Sequence, residues 1–185
     1  MRLFVAVNLP ADVRDAVWSA AEPARRGSPP VRWVGPDGVH VTLKFLGEVA
    51  DERLDELRQA LGRAAAGIRR FTLEVAGGGV FPGPSRPRVF WAGITAEPQL
   101  ELLQHAVERE IAPLGFPTEA RAFRPHVTLG RAEKDAAAGD LRRAAERIAA
   151  AAFSGSALIE TVDLMRSRLS PRGAAYEAVH REPLR

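Results

Sequence analysis

The tetrapeptide His-Val-Thr-Leu occurs twice in this chain, at residues 40–43 and again at residues 126–129. The two copies hold two of the four histidines in the sequence. Because the ordinary pKa of imidazole is near about 6.5, a histidine can accept or donate a proton at neutral pH. Cleavage of a phosphodiester needs a base for the attacking group and an acid for the departing alkoxide. Two histidines can supply both.

The threonines of the two motifs add hydrogen-bond donors. On a β-strand, residues two apart share a face, so His40 and Thr42 project together. His126 and Thr128 repeat this arrangement. If the two strands lie side by side around a pseudo-two-fold axis, both imidazoles and both hydroxyls meet in one cleft. The hydroxyls would then donate to the nonbridging oxygens of a phosphoryl group, in a scheme that requires no metal.

The interpretation depends on the duplication, because a single strand histidine is more often an ordinary packed or exposed side chain. His105 falls on the polar side of a predicted helix near Glu101 and Arg109, where we expect it to be solvated. His180 lies on the last predicted strand, and nothing repeats around it. We therefore interpret His180 as structural.

The elements that must position the motifs follow from the hydrophobic pattern. Strands are predicted within 1–9, 31–34, 39–49, 123–131, 157–170 and 174–182, and two more lie within 71–95, separated by a long Gly/Pro-rich hairpin loop. Helices are predicted within 10–26, 51–66, 98–115 and 135–153. Pro10 is expected to begin the first helix and Pro23 to limit its end, while Asp51 is expected to cap the second. The last two strands should form a hairpin around Ser170 to Gly173. The pattern indicates an α+β fold.

Composition narrows the remaining possibilities. A chain of 185 residues with 46% hydrophobic content is expected to form a single domain over residues 1–185. It has no apolar run long enough to span a membrane, and acids come too early for a secretory signal, so we expect a cytoplasmic protein. Without cysteine, any chemistry must use oxygen or nitrogen groups. The net charge of +3 is only weak support for nucleic-acid binding, despite a pI of 10.1.

Six segments resemble, in order, the 2H phosphoesterase superfamily, and more narrowly its RNA 2′,3′-cyclic phosphodiesterases, also called 2′-5′ RNA ligases. They are RLFVAVNLP, VRWVGPDGVH, HVTLKFLGEV, FPGPSRPRVFW, RPHVTLGR and SRLSPRGAAYE. The resemblance implies a bilobal α+β fold in which two pseudo-symmetric antiparallel sheets flank a central groove and helices cover the outer faces. It identifies His40, Thr42, His126 and Thr128 as the catalytic set.

The resemblance also implies a reaction. It is hydrolysis of an RNA terminal 2′,3′-cyclic phosphate to a 2′-phosphate, with His40 as proton donor to the leaving 3′ oxygen and His126 as proton acceptor from water. The reverse reaction would join RNA ends through a 2′-5′ bond without ATP. RNA ends bearing a cyclic phosphate are the implied partner. We expect a monomer with no cofactor, no metal and no membrane association.

Two further positions are carried over from the resemblance. Phe45, five residues after His40, matches a base-stacking position, for which core packing is the alternative. Arg131, five residues after His126, matches a phosphate-pairing position, for which a solvated strand-end charge is the alternative. Four more cations could attract RNA but are selected by no spacing rule: Lys44, Arg86, Arg88 and Arg124. Gly130 is a departure that could widen the groove.

Alternative functions stay open on these residues. A noncatalytic module could hold an RNA end with both histidines. A phosphodiesterase of the same superfamily could act instead on small cyclic or 2′-5′ linked nucleotides. Metal-dependent hydrolysis is disfavoured, because the sequence has no His-Glu-x-x-His motif and no clustered carboxylates.

Overall fold

A computed structural model describes residues 1–27, 29–170 and 173–185. The strands are β1 Arg2–Asn8, β2 Val31–Trp33, β3 His40–Glu48, β4 Phe71–Phe81, β5 Val89–Ile94, β6 His126–Ala132, β7 Ser154–Ile159, β8 Thr161–Ser170 and β9 Gly173–Pro183. The α-helices are α1 Ala11–Ala20, α2 Glu22–Arg25, α3 Leu54–Ala65, α4 Pro98–Ile111 and α5 Ala138–Ala150. Short 3-10 turns occur at Pro36–Gly38, Asp51–Arg53 and Ala112–Leu114. The predicted α+β class is confirmed.

The strands form one antiparallel sheet in the order β7-β4-β5-β6-β3-β1-β8-β9, with β2 paired to β6. The sheet has two four-stranded halves, β7-β4-β5-β6 and β3-β1-β8-β9, which correspond to the two expected sheets. The halves are hydrogen-bonded to each other where β3 meets β6, with Val41 opposite Val127. The two motif strands are therefore the central strands of the molecule.

One predicted strand is two strands in the structure. The segment 157–170 breaks at Glu160, so that β7 pairs with β4 while β8 pairs with β1 and β9 in the other half. The apolar pattern runs through this crossing without a glycine or proline to mark it, which is why one strand was predicted. The predicted final hairpin corresponds to β8 and β9. Residues 171 and 172 of its turn lie outside the described residues.

Helix boundaries differ from the prediction at two positions. Pro23 lies in the first turn of α2, where a missing N–H costs nothing, so it begins a helix rather than ending one. Asp51 starts a 3-10 turn that precedes α3, and its side chain caps neither element. Helix α4 agrees with the prediction, since its predicted inward residues Leu100, Leu103, Val107 and Ile111 are all buried. In the described ranges, no helix combines the length and apolar character that a membrane crossing requires.

Lys44 holds α4 against the sheet. It is only 2% exposed, and its Nζ lies 2.6 Å from Oε2 of Glu108 on α4 and 2.7 Å from the carbonyl oxygen of Pro117. A buried ammonium is tolerated because both partners accept hydrogen bonds from it. Lys44 is therefore an internal ion-pair partner, and the suggestion that it attracts RNA is wrong.

Candidate active site

The pairing of β3 with β6 sets the geometry of the candidate site. Extending the antiparallel register by one residue on each side of Val41 and Val127 puts His40 opposite Thr128. The same extension puts Thr42 opposite His126. The two valines are fully buried on the other face. Each histidine thus faces the threonine of the other motif across a local two-fold axis.

A cleft of about 710 Å³ opens on this face of the sheet. Five of the six predicted site residues line it: His40, Thr42, Phe45, Thr128 and Arg131. His126 is outside that lining and lies at the border of the cleft, where its ring packs edge-on against Phe81 at a centroid distance of 5.1 Å. Thr128 lies two residues further along the same strand and lines the cleft.

A β-bulge at the last residue of each motif turns Phe45 and Arg131 toward the cleft. On β3 the pairing with β1 skips Leu43, and on β6 the pairing with β5 skips Leu129. The inserted residue shifts the alternation by one, so residues five positions after each histidine share the histidine's face. Phe45 is accordingly 56% exposed and is not part of the core.

The second bulge also assigns the role of Gly130, which stays on the core face of β6. A Cβ at Gly130 would lie 2.8 Å from side-chain atoms of Val31 and Trp33. The glycine therefore leaves room for the side chains of Val31 and Trp33 on β2, the strand that pairs beside β6.

His40 is enclosed by aromatic rings. Its centroid lies 4.9 Å from that of Phe4 and 5.1 Å from that of Tyr176, which meets it edge-on. Within the described residues its Nδ1 is buried without a hydrogen-bond partner. Burial lowers the pKa of His40 to about 4, because the apolar surroundings disfavour the imidazolium. The free protein therefore holds a neutral His40 at neutral pH.

This burial predicts a pH dependence of stability. The unfolded chain binds a proton at His40 below about pH 6.5, whereas the folded chain binds it only near pH 4. The free energy of unfolding should therefore fall by about 3 kcal/mol more in the wild type than in His40→Gln as the pH drops from about 6.5 to 4. Denaturant titrations at several pH values measure this difference. His105→Gln is the control, and equal slopes for wild type and His40→Gln would contradict the expectation.

His126 has a defined tautomer. Its Nδ1 lies 2.6 Å from the carbonyl oxygen of Arg124, which can only accept, so Nδ1 carries the proton and Nε2 keeps its lone pair. Burial lowers the pKa of His126, the bond to the Arg124 carbonyl raises it in part, and the charge of Arg131 lowers it further. A neutral imidazole with a free Nε2 is suited to accept a proton.

The other predicted cations and histidines lie elsewhere. Arg86, Arg88 and the side chain of Arg124 do not line the cleft, and Arg124 instead contributes its backbone carbonyl. His105 is exposed, as predicted. His180 pairs with Glu182 through Nε2 at 2.9 Å, which agrees with a structural role.

Sequence reasoning missed three cations and three aromatic residues of the cleft. The cations are Arg2, Arg32 and Lys134, and the aromatic residues are Phe4, Trp33 and Tyr176. The signal for Arg32 was present, because it is the polar residue between the apolar Val31 and Trp33 of a short strand. Tyr176 gave no comparable signal, since its approach to His40 depends on the placement of β9 beside β8.

The paired histidine motifs lie on the two central strands of this sheet, which is the arrangement expected of a 2H phosphoesterase. The family model of the 2′-5′ RNA ligase superfamily matches residues 13–170. The chain belongs to that superfamily, and the predictions of the family and of a phosphoesterase are confirmed.

Individual relatives are similar to this chain over nearly its whole length. An RNA 2′,3′-cyclic phosphodiesterase of Archaeoglobus fulgidus is 33% identical over 178 residues, which cover 96% of this chain and 97% of the relative. A crystal structure from Thermus thermophilus has a TM-score of 0.82 at 30% identity and covers 100% of this chain and 98% of its own. Escherichia coli LigT complexed with 3′-AMP has a TM-score of 0.80 at 29% identity, covering 99% and 97%.

Proposed function

We propose that this protein hydrolyses the terminal 2′,3′-cyclic phosphodiester of RNA to a 2′-phosphomonoester by metal-independent acid and base catalysis from two histidines. The observation that carries the proposal is the register of β3 and β6, which brings the duplicated motifs together around Val41 and Val127. Relatives that bear the name RNA 2′,3′-cyclic phosphodiesterase support the substrate. The cytoplasmic location and the monomeric state stay predictions from sequence.

In the proposed reaction, water attacks phosphorus and the bond from phosphorus to O3′ breaks. Nε2 of His126 takes the proton from water, which fits its free lone pair. A protonated His40 gives its proton to the departing O3′, leaving a 3′-hydroxyl and a 2′-phosphate. Because His40 has a pKa of about 4 in the free protein, the bound phosphate anion must raise that pKa for His40 to act as the acid.

The remaining predicted residues position the substrate. Thr42 and Thr128 donate hydrogen bonds to the nonbridging oxygens, where donors fixed in advance stabilise the charge that develops in the transition state. Arg131 pairs with the phosphate, and its exposed guanidinium has the planar donor geometry for that role. Phe45 offers an exposed ring on which the terminal base stacks. Attack by the 5′-hydroxyl of another RNA instead of water would give ATP-independent 2′-5′ ligation.

The lowered pKa values predict an acidic optimum for the free enzyme. The pH profile of kcat/KM reports the free enzyme, and both histidine pKa values lie below the ordinary value. We therefore expect a bell-shaped profile with its maximum below about pH 6.5. The profile of kcat should be shifted upward, because the bound phosphate favours the imidazolium of His40. Initial rates across pH 4 to about 9 measure both profiles, and a kcat/KM maximum above about pH 7.5 would contradict this assignment.

The test of the proposal is an assay of a short RNA with a terminal cyclic phosphate in excess chelator. Expected products carry a 2′-phosphate and a free 3′-hydroxyl. A 3′-phosphate product would overturn the regiochemistry, and loss of activity in chelator would overturn the metal-independent scheme. Binding without turnover would favour the noncatalytic alternative. Adding an RNA with a 5′-hydroxyl tests for 2′-5′ ligation.

A further inference from the structure

Two arginines face each other on the wall of the cleft. Arg32 on the short strand β2 is directly opposite Arg131 on β6, and both line the cleft. On the flanking positions, Val31 and Trp33 pack over Gly130 on the core face, which turns Arg32 to the cleft face. Like charges directly opposite each other in a sheet are destabilising. The protein therefore has a destabilising pair of like charges in the lining of its candidate active site.

The surrounding charges do not neutralise the pair. The described lining of the cleft holds four cations, Arg2, Arg32, Arg131 and Lys134, and one carboxylate, that of Glu133. Among the described residues, none of these four cations forms an ion pair. Elsewhere in the protein, arginines that lie close together share a carboxylate in some cases, for example Arg63 and Arg109 with Glu110. The unpaired cations therefore mark a surface prepared for an anion with more than one charged group.

Arg131 and Arg32 differ in their distance from the reaction centre. The charge of Arg131 is close enough to affect the pKa of both His126 and Tyr176. Arg32 lies one strand further out, on β2, which pairs with β6. If Arg131 binds the reacting phosphate, Arg32 is the cation opposite it on the neighbouring strand, and Lys134 lines the same cleft.

We propose that Arg32 binds the phosphodiester on the 5′ side of the terminal nucleoside and so makes the protein prefer RNA chain ends over free nucleoside cyclic phosphates. This inference rests on the proposed function, since it names the substrate feature that the same cleft selects. A free nucleoside 2′,3′-cyclic phosphate lacks that second phosphate and leaves Arg32 opposite Arg131 without a counterion. An RNA end supplies one phosphate to each arginine.

The experiment compares two substrates that differ in one group: a nucleoside 2′,3′-cyclic phosphate with and without a 5′-phosphate. The wild type is expected to prefer the 5′-phosphorylated substrate by about tenfold or more in kcat/KM, and Arg32→Gln is expected to remove most of that preference. For a short RNA, the slope of log KM against log salt should decrease by about 0.7 in Arg32→Gln, the value for one phosphate contact on a single strand. Arg69→Gln removes an exposed arginine outside the cleft and should change neither measure.

An unchanged preference in Arg32→Gln, or a wild type that does not discriminate, would overturn the assignment of Arg32. If no cyclic substrate is turned over at all, the proposed function fails instead. In that case calorimetric binding of nucleoside 2′-phosphates with and without a 5′-phosphate still tests Arg32. Equal affinities of the wild type for both ligands would then show that Arg32 does not bind the 5′-phosphate.

Discussion

Replacing His40 or His126 by alanine is expected to lower kcat by at least about 100-fold, because each substitution removes one of the two proton transfers. The effects should not add in the double variant, since the two side chains act in one step. Rates on a short RNA with a terminal cyclic phosphate measure the loss. His105→Ala, which removes an exposed histidine, is expected to retain wild-type turnover.

A change of leaving group distinguishes the acid role of His40 from the base role of His126. In a cyclic substrate with sulfur in place of O3′, the departing thiolate needs no acid, so the His40→Ala defect should largely disappear. The His126→Ala defect should persist, because the attacking water still has to lose its proton. His40 is buried among aromatic rings, so His40→Gln, which fills more of that space, serves as the variant for comparing folded stability. Near-normal turnover of RNA by either alanine variant, or rescue of both by sulfur, would contradict the assignment.

The fold follows from the sequence where periodicity is strong. The four inward residues of α4 repeat at helical spacing, and the helix forms as predicted because that stripe has a sheet face to cover. The crossing at Glu160 is different. Both segments on either side have strand-like alternation, and only the positions of their partners, β4 on one side and β1 with β9 on the other, separate them. Long-range pairing of this kind leaves no local signal.

The candidate site also has features that local periodicity predicts and features that only long-range pairing determines. Alternation from His40 and Thr42 predicts that Lys44 continues the cleft face and that Phe45 faces the core, which is the reverse of the structure. The cause is the unpaired Leu43, and Leu129 has the same effect on Arg131. A bulge changes hydrogen-bond register without changing residue composition, so side-chain patterns cannot reveal it. Phe45 and Arg131, which the family resemblance selected, both line the cleft, because matching a family position does not require regular alternation.

Substitution of the two motif threonines is expected to give the next largest loss of kcat. Thr42→Val and Thr128→Val keep the shape of the side chain and remove only the hydroxyl, so each is expected to lower kcat on the order of 10- to 100-fold by deleting one preorganised donor to the phosphoryl oxygens. The two losses should be similar, because the register of β3 and β6 makes the two threonines equivalent about the local two-fold axis. Steady-state rates on the cyclic-phosphate RNA measure them.

Thr42→Ser and Thr128→Ser distinguish this role from a structural one. Serine restores the donor while losing the methyl group, so the serine variants should recover most of the activity that the valine variants lose. Thr72→Val, at an exposed position on β4, is the matched control and should leave turnover unchanged. If the valine variants keep activity within about twofold of wild type, the threonine hydroxyls do not stabilise the transition state.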